Sequence, residues 1–464
     1  MSHEPAAPAD PVERASPAAH DREHGRTLRR AATASFIGNF IEWFDYASYG
    51  YLAGVIGRVF FPESDKQVQL MLSFAVFATS FILRPIGAVV WGTWGDRRGR
   101  RWALSWSILI MSGSTCFIGF LPTYAMIGIW SALGLLVLRM VQGFSASGEY
   151  AGAGTFLAEY APPARRGIYT CLVPASTACG LLAGSLMVSG MYFGLGGEDS
   201  PDMTQWGWRI PFILAGPLGL IGRYIRVHLE DSPAYQAMRA EMPQEPRSTG
   251  WAEPLLLLLR YHWRETLITF GVSCLNAVAF YMLLSYMPTY VTEELGFSSN
   301  TATLATSVML VVYIAAIFLM GHLSDSFGRR RMLIAACIAF IVLSIPLFIM
   351  MTKAGGRLEI VILCQIVFAL ILTANDGTLA TFLAESFPTN VRYSGFALSF
   401  NSANALLGGT TPFIVTWLIR ATGSSLVPAV YLTVVSLIAM MAILASRVIH
   451  GSELTENPQL ETSS

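Results

Sequence analysis

Four acidic residues stand where acids are costly. Glu42 and Asp45 lie in GNFIEWFDYASYGY, Glu149 in RMVQGFSASGEYAGAGTFLAEY and Asp376 in TANDG, each inside a long apolar run. A charge in such a run is expensive unless it faces a cavity or a partner. Gly38, Glu42, Asp45, Tyr46 and Tyr49 share one face at helical spacing. Glu42 lies about eleven residues from one end of its run, roughly 16 Å at helical rise, which is mid-membrane. Arg139, Gln142, Ala146 and Glu149 form a second stripe, and Gln365, Phe368, Leu372 and Asp376 a third. Carboxylates taken out of water and set near one another can exchange protons near neutral pH. The chemistry expected of Glu42, Asp45, Glu149 and Asp376 is therefore proton coupling.

The same segments carry groups suited to a small zwitterion. Trp43, Tyr46, Tyr49 and Tyr281, with Tyr286 nearby in sequence, can cage an ammonium. Arg139 can hold a carboxylate, with Gln142, Asn276 and Asn375 as further polar contacts. Each group also has a plainer reading. The acids can serve helix assembly, Asn375 can be the polar group that matters beside Asp376, and the aromatics can simply pack or sit at an interface.

A second set of residues repeats. GTWGDRRGRR, Gly92 to Arg101, returns as GHLSDSFGRR, Gly321 to Arg330, about half a chain length later. TFLAE at 155–159 returns at 381–385, with Pro162 and Arg166 matched by Pro388 and Arg392. Two homologous halves account for both repeats. Gly92 and Gly321 allow close helix contact, while Gly99 and Gly328 turn the chain. Asp96 and Asp325 can accept hydrogen bonds from a facing helix N-terminus or pair with arginine. Glu159 with Arg166, and Glu385 with Arg392, can pair along the same edge. Together with Arg97, Arg100, Arg101, Arg329 and Arg330, these residues are expected to form a cytoplasmic gate; the alternative is that the arginines only set topology.

The elements that position these groups follow from composition. Apolar residues make up 53% and charged residues 13%, against about 25% charged in soluble domains. Net charge is zero, which offers no pull toward nucleic acid. Twelve apolar runs, from 31–58 to 425–447, are each long enough to cross a bilayer. The predicted fold is an all-α membrane protein of twelve helices in two pseudo-symmetric six-helix halves. Residues 1–30 read as a disordered tail, 31–228 as the first bundle, 229–265 as a linker, 266–450 as the second bundle and 451–464 as a tail. Arginine clusters at 26–30, 97–101, 165–166 and 329–331 put both termini in the cytoplasm. The six cysteines lie within spans without metal spacing, so neither metal nor cofactor is expected. The absence of GxSxG, HExxH or a phosphate-cradling loop argues against an enzyme.

These stretches resemble the metabolite:proton symporter branch of the major facilitator superfamily, over nearly the whole chain. GDRRGRR and SDSFGRR resemble the superfamily's loop motif. GNFIEWFDYASYG, RMVQGFSASGEYAGAGTFLAEYAPPARRG and WGWRIPFILAGPLGLIGRYIR resemble the branch. AFYMLLSYMPTYV and FPTNVRYSG look most like its proline/glycine betaine symporters. The resemblance implies that helices 1, 4, 7 and 10 line a central cavity, with Glu42, Asp45, Arg139, Gln142 and Glu149 on motif positions. Asp376 departs from the shared pattern, and its role rests on geometry. Some members carry a long C-terminal coiled coil; this chain stops about twenty residues after its last apolar run, so osmotic tuning by such a coil is not expected.

The implied function is proton-coupled uptake of proline, glycine betaine or ectoine-like solutes across a bacterial inner membrane, with the bilayer as the other partner and a monomer as the working unit. The competing reading is a proton symporter of organic acids such as oxoglutarate, citrate or shikimate. A dianion wants two buried cations, and Arg84 and Arg139 are the candidates.

Overall fold

A long apolar segment in lipid has one simple solution, the α-helix, which satisfies its backbone polar groups internally. The structure is a computed structural model and describes residues 17–98, 100–227, 258, 260–387 and 391–446. Among these residues every regular element is helical. Nine segments are long and apolar enough to cross a membrane. They are α2 (Lys66–Trp91), α3 (Trp102–Phe120), α4 (Ile129–Glu159), α5 (Pro163–Gly194), α7 (Trp263–Glu293), α8 (Ser299–Phe327), α9 (Arg329–Thr352), α10 (Leu358–Glu385) and α12 (Val427–Ala445). Three more complete the set. α1 (Pro17–Tyr51) continues after a short break as Ala53–Phe60, α6 is Arg209–Val227, and α11 is Arg392–Ala403 followed by Thr411–Thr422. These three are interrupted or carry charged residues, which lowers their apolar signal.

Helix α1 starts earlier than expected. Residues 17–30, read from sequence as disordered tail, are helical, in keeping with their Ala, Glu, Leu and Arg content. Residues 1–16, most of the 229–265 linker, and 447–464 lie outside the described residues.

Several spans are broken where function would need it. α7 contains a π-turn at Tyr281–Tyr286, and α11 another at Asn404–Gly408. Such turns in membrane helices tend to sit at functional sites. Their packing is specific. A Cβ on Gly409 would lie 2.1 Å from the Phe81 ring, and one on Gly408 would lie 3.0 Å from the Tyr281 ring. The two halves meet along α2 with α11 and α5 with α8. Ser185 of α5 lies 2.6 Å from Ser307 of α8, and Thr170 lies 2.6 Å from Thr381. Small hydroxyl residues here let the helices approach closely.

Candidate functional site

The polar groups of the first half form ion pairs. Glu42 Oε1 of α1 accepts from Arg84 Nη2 of α2 at 2.5 Å, and the same nitrogen donates to the Tyr46 hydroxyl at 2.9 Å. Asp45 Oδ2 lies 3.1 Å from Arg139 Nη1 of α4, which also donates to Gln142 Oε1 at 2.6 Å. All four charged side chains are buried. Glu149 accepts from Ser107 of α3 at 2.9 Å. A buried pair of this kind is tolerated because each partner offsets the other's desolvation.

An aromatic cluster joins the two halves around Arg84. Trp43 lies 5.6 Å from Tyr281 and 4.7 Å from Phe280, both of α7. Phe81 of α2 lies 5.1 Å from Tyr281 and 5.4 Å from Tyr46. The Arg84 guanidinium sits 4.6 Å from the Phe81 ring centre and 5.1 Å from that of Tyr46. Three expected cage residues, Trp43, Tyr46 and Tyr281, therefore come together. Tyr49 does not join them directly. Its ring lies 3.9 Å from Arg139 Cζ, and its hydroxyl donates to the Ser73 carbonyl at 2.9 Å. Tyr286 also turns away, toward Phe74 and Thr416.

The second half treats its acid differently. Asp376 of α10 accepts from Asn276 of α7 at one oxygen and from the Tyr313 hydroxyl of α8 at the other. Both donors are neutral. About three turns earlier in α10, the Gln365 amide and, next to Asp376, the Asn375 amide are buried with no protein partner on either terminal atom. Asn276 and Asp376, drawn from different expected roles, thus belong to one cluster.

The edge that carries the repeated motifs corrects the expected pairing of the gate. The pairs cross between halves: Arg166 lies 3.6 Å from Glu385, and Arg392 lies 3.4 Å from Glu159. The repeat places Glu159 and Arg166 at opposite ends of a bend, so each reaches the facing half more readily than its neighbour in sequence. Asp325 accepts from the backbone amides of Gly167 at 2.8 Å and Ile168 at 3.1 Å, and holds Arg329 at 2.7 Å. Both roles foreseen for it are present together. Arg329 also reaches Glu385 at 3.6 Å. Arg330 departs from the gate, because its guanidinium donates to the Leu444 carbonyl at the end of α12. Gly321 packs on Cys171, whose sulfur would lie 2.2 Å from an added Cβ, and Gly328 has φ +90°. The side chains of Gly92, Asp96, Arg97, Gly99, Arg100 and Arg101 lie outside the described residues.

The opposite edge is bridged as well. Arg58 pairs with Glu198 at 3.3 Å and Asp199 at 3.0 Å, and Glu198 accepts from Ser299 of α8. Lys66 of α2 lies 3.2 Å from Glu293 of α7. Contacts between halves on both sides describe an occluded form. Phe77, Phe81, Tyr313 and Ser107 were not singled out by sequence; each is a lone aromatic or hydroxyl in an apolar run, and only its neighbours reveal its use.

Two bundles closed around buried charges and aromatics define a membrane transporter of the major facilitator fold. Residues 31–257 match the family described as Sugar (and other) transporter, and residues 269–463 match Major Facilitator Superfamily. The chain is 38% identical over 420 residues to a glycine betaine/proline/ectoine/pipecolic acid transporter of Dickeya dadantii, covering 89% of this chain and 82% of that one. A proline/betaine transporter of Escherichia coli K12 is 37% identical over the same shares. Among solved structures, the proton:xylose symporter XylE superposes with a TM-score of 0.71 at 18% identity, covering 91% of this chain and 95% of that one. The chain belongs to the family of proline/betaine transporters within the major facilitator superfamily. It is a transporter and not an enzyme.

Proposed function

We propose that this protein imports small zwitterionic osmolytes, with proline, glycine betaine and ectoine-like solutes as the substrate class, together with protons. The observation that carries the substrate class is the extent of similarity to relatives named for these solutes, over 89% of the chain. Transport proceeds by rocking of the 31–228 and 266–450 bundles about a midplane site. The aromatic cluster between α1, α2 and α7 receives the cationic end of the solute. Glu42, Asp45, Glu149 and Asp376 are the proton-coupling candidates. Asp376 has the strongest support, since both of its hydrogen-bond donors carry no charge. Arg139, expected to take the substrate carboxylate, is committed to Asp45 and Gln142 and serves to hold α1 and α4.

The working unit is a monomer in a bacterial inner membrane with both termini cytoplasmic, using a proton as coupling ion and no cofactor. The gate is formed by the Arg166–Glu385 and Arg392–Glu159 pairs with Asp325 and Arg329. An organic dianion is disfavoured because the similar transporters are named for zwitterionic solutes.

Uptake of radiolabelled glycine betaine and proline tests this reading, in cells lacking their own osmolyte carriers, with and without a protonophore and at two osmolarities. Protonophore-sensitive uptake is expected. Absence of uptake by well-expressed protein would overturn it.

A further inference from the structure

Arg84 is a buried guanidinium set among the aromatic rings through which the two halves meet. It sits on α2 beside an interruption of the helix at Leu83, fully buried. Its ring neighbours Phe81 and Tyr46 are the rings that meet Tyr281 and Trp43. Arg139 by contrast faces Tyr49 and Phe212, both of the first half.

The hydrogen bonding of Arg84 is incomplete. Both of its hydrogen bonds to Glu42 and Tyr46 run through Nη2, while Nε is buried without a partner. The Nε–Nη2 edge of a guanidinium is a fork matched to the two oxygens of a carboxylate. Glu42 takes only one tine of it here. Two further buried donors in the cluster, Trp43 Nε1 and the Tyr281 hydroxyl, also have no protein partner. The cluster thus holds a cation with an open edge, aromatic faces, and unused donors.

We propose that Arg84 is the receptor for the carboxylate of the transported zwitterion, and that Glu42 occupies it as an internal stand-in. The solute carboxylate takes the Nε–Nη2 edge, and Glu42, displaced, takes up a proton. The ammonium end then lies against Trp43 and Tyr281. No bond to carbon forms or breaks; one proton is added to a Glu42 oxygen for each solute bound. Substrate and proton bind cooperatively because each makes room for the other. The inference rests on the osmolyte reading above and names the residue that reads the anionic end.

The groups around Glu42 are consistent with this exchange. Arg84 faces it from α2, Tyr281 from α7, and Tyr46 and Asp45 from its own helix. Asp45 is held by Arg139 of α4, and Glu149 of α4 is bonded to Ser107 of α3. From α5, the neutral hydroxyls of Ser176 and Thr177 are engaged by Asn39.

Equilibrium binding of radiolabelled glycine betaine and of choline, which lacks the carboxylate, tests the assignment on purified full-length protein at pH values one unit apart. Wild type should prefer betaine, with affinity falling about tenfold per unit rise in pH. E42Q should bind betaine equally at both pH values and exchange it across vesicles without net accumulation. R84Q should lose roughly a hundredfold in betaine affinity and its preference over choline. The E42Q/R84Q pair leaves no unpaired charge, so it guards against misfolding and should behave as R84Q does. If that double variant keeps wild-type affinity and preference, Arg84 does not read the carboxylate. Unchanged pH dependence in E42Q would remove Glu42 from the exchange. If wild type binds neither betaine nor proline, the osmolyte reading itself falls and takes this assignment with it.

Discussion

The two halves of this protein handle buried acid in opposite ways. In the first, Glu42 and Asp45 are matched to Arg84 and Arg139, and one aromatic ring covers each guanidinium at close range. In the second, Asp376 is held by an amide and a phenol. The halves descend from one repeat, yet position 149 and position 376 have come to differ in partner: Ser107 beside one, Asn276 and Tyr313 beside the other. A matched pair resists a change of protonation because losing either charge strands the other. A carboxylate held only by neutral donors has no such restraint. On the proposal above, Glu42 gains its proton only when a solute carboxylate replaces it at Arg84, whereas Asp376 needs no replacement anion.

The comparison breaks first at Asp376. Asp376→Asn should abolish protonophore-sensitive accumulation while leaving solute exchange within a few-fold of wild type, by roughly the hundredfold loss typical of a removed proton carrier; net accumulation and counterflow measured side by side separate the two. Arg139→Gln comes next. It strands Asp45 and should cost about 3–5 kcal/mol of stability, read as thermal unfolding in detergent. Adding Asp45→Asn should recover most of that loss, and failure to recover would mean the pair does more than hold α1 to α4.

Smaller effects sharpen the contact surface between halves. Gly409→Ala presses on the Phe81 ring and should cost about 1–3 kcal/mol, with weakened betaine affinity in the same binding assay. Arg166→Glu should open the edge that Arg166 shares with Glu385 and raise the rate of thiol labelling at Cys171, which packs there against Gly321. Combining it with Glu385→Arg should restore protection. Lys66→Gln marks the low end, since that pair is largely exposed on its lysine side and should change stability by less than about 1 kcal/mol.

Much of this architecture is legible in the chain. Apolar runs, the Gly92–Arg101 and Gly321–Arg330 repeat, and the acids within spans all report local properties of a segment in lipid. What sequence could not supply is which segment faces which. Glu159 and Arg166 look like partners because they are seven positions apart around a bend; the fold instead turns each toward the other half, to Arg392 and Glu385. Arg139 looks like the free cation because it lies on a motif stripe. Its bonds to Asp45 and Gln142 run through one nitrogen and its ring contacts stay within the first half, whereas Arg84, one position before a proline, lies among the rings that meet the second half. Tyr313 left no pattern at all, since a single tyrosine in an apolar helix reads as packing until Asp376 is seen beside it.

The crossed pairs of the gate edge have a consequence for how voltage acts. Each half brings one arginine and one glutamate to the exchange: Arg166 and Glu159 from the first, Arg392 and Glu385 from the second. When the edge parts, each half carries away a net charge of zero from these four groups. A membrane potential is worth about 2.3 kcal/mol per elementary charge per 100 mV, but it finds no net charge on which to pull at this latch. The field therefore favours neither the open nor the closed edge. It acts instead on the proton carried with a neutral solute, so the electrical work goes to the cargo and the latch remains set by contact alone.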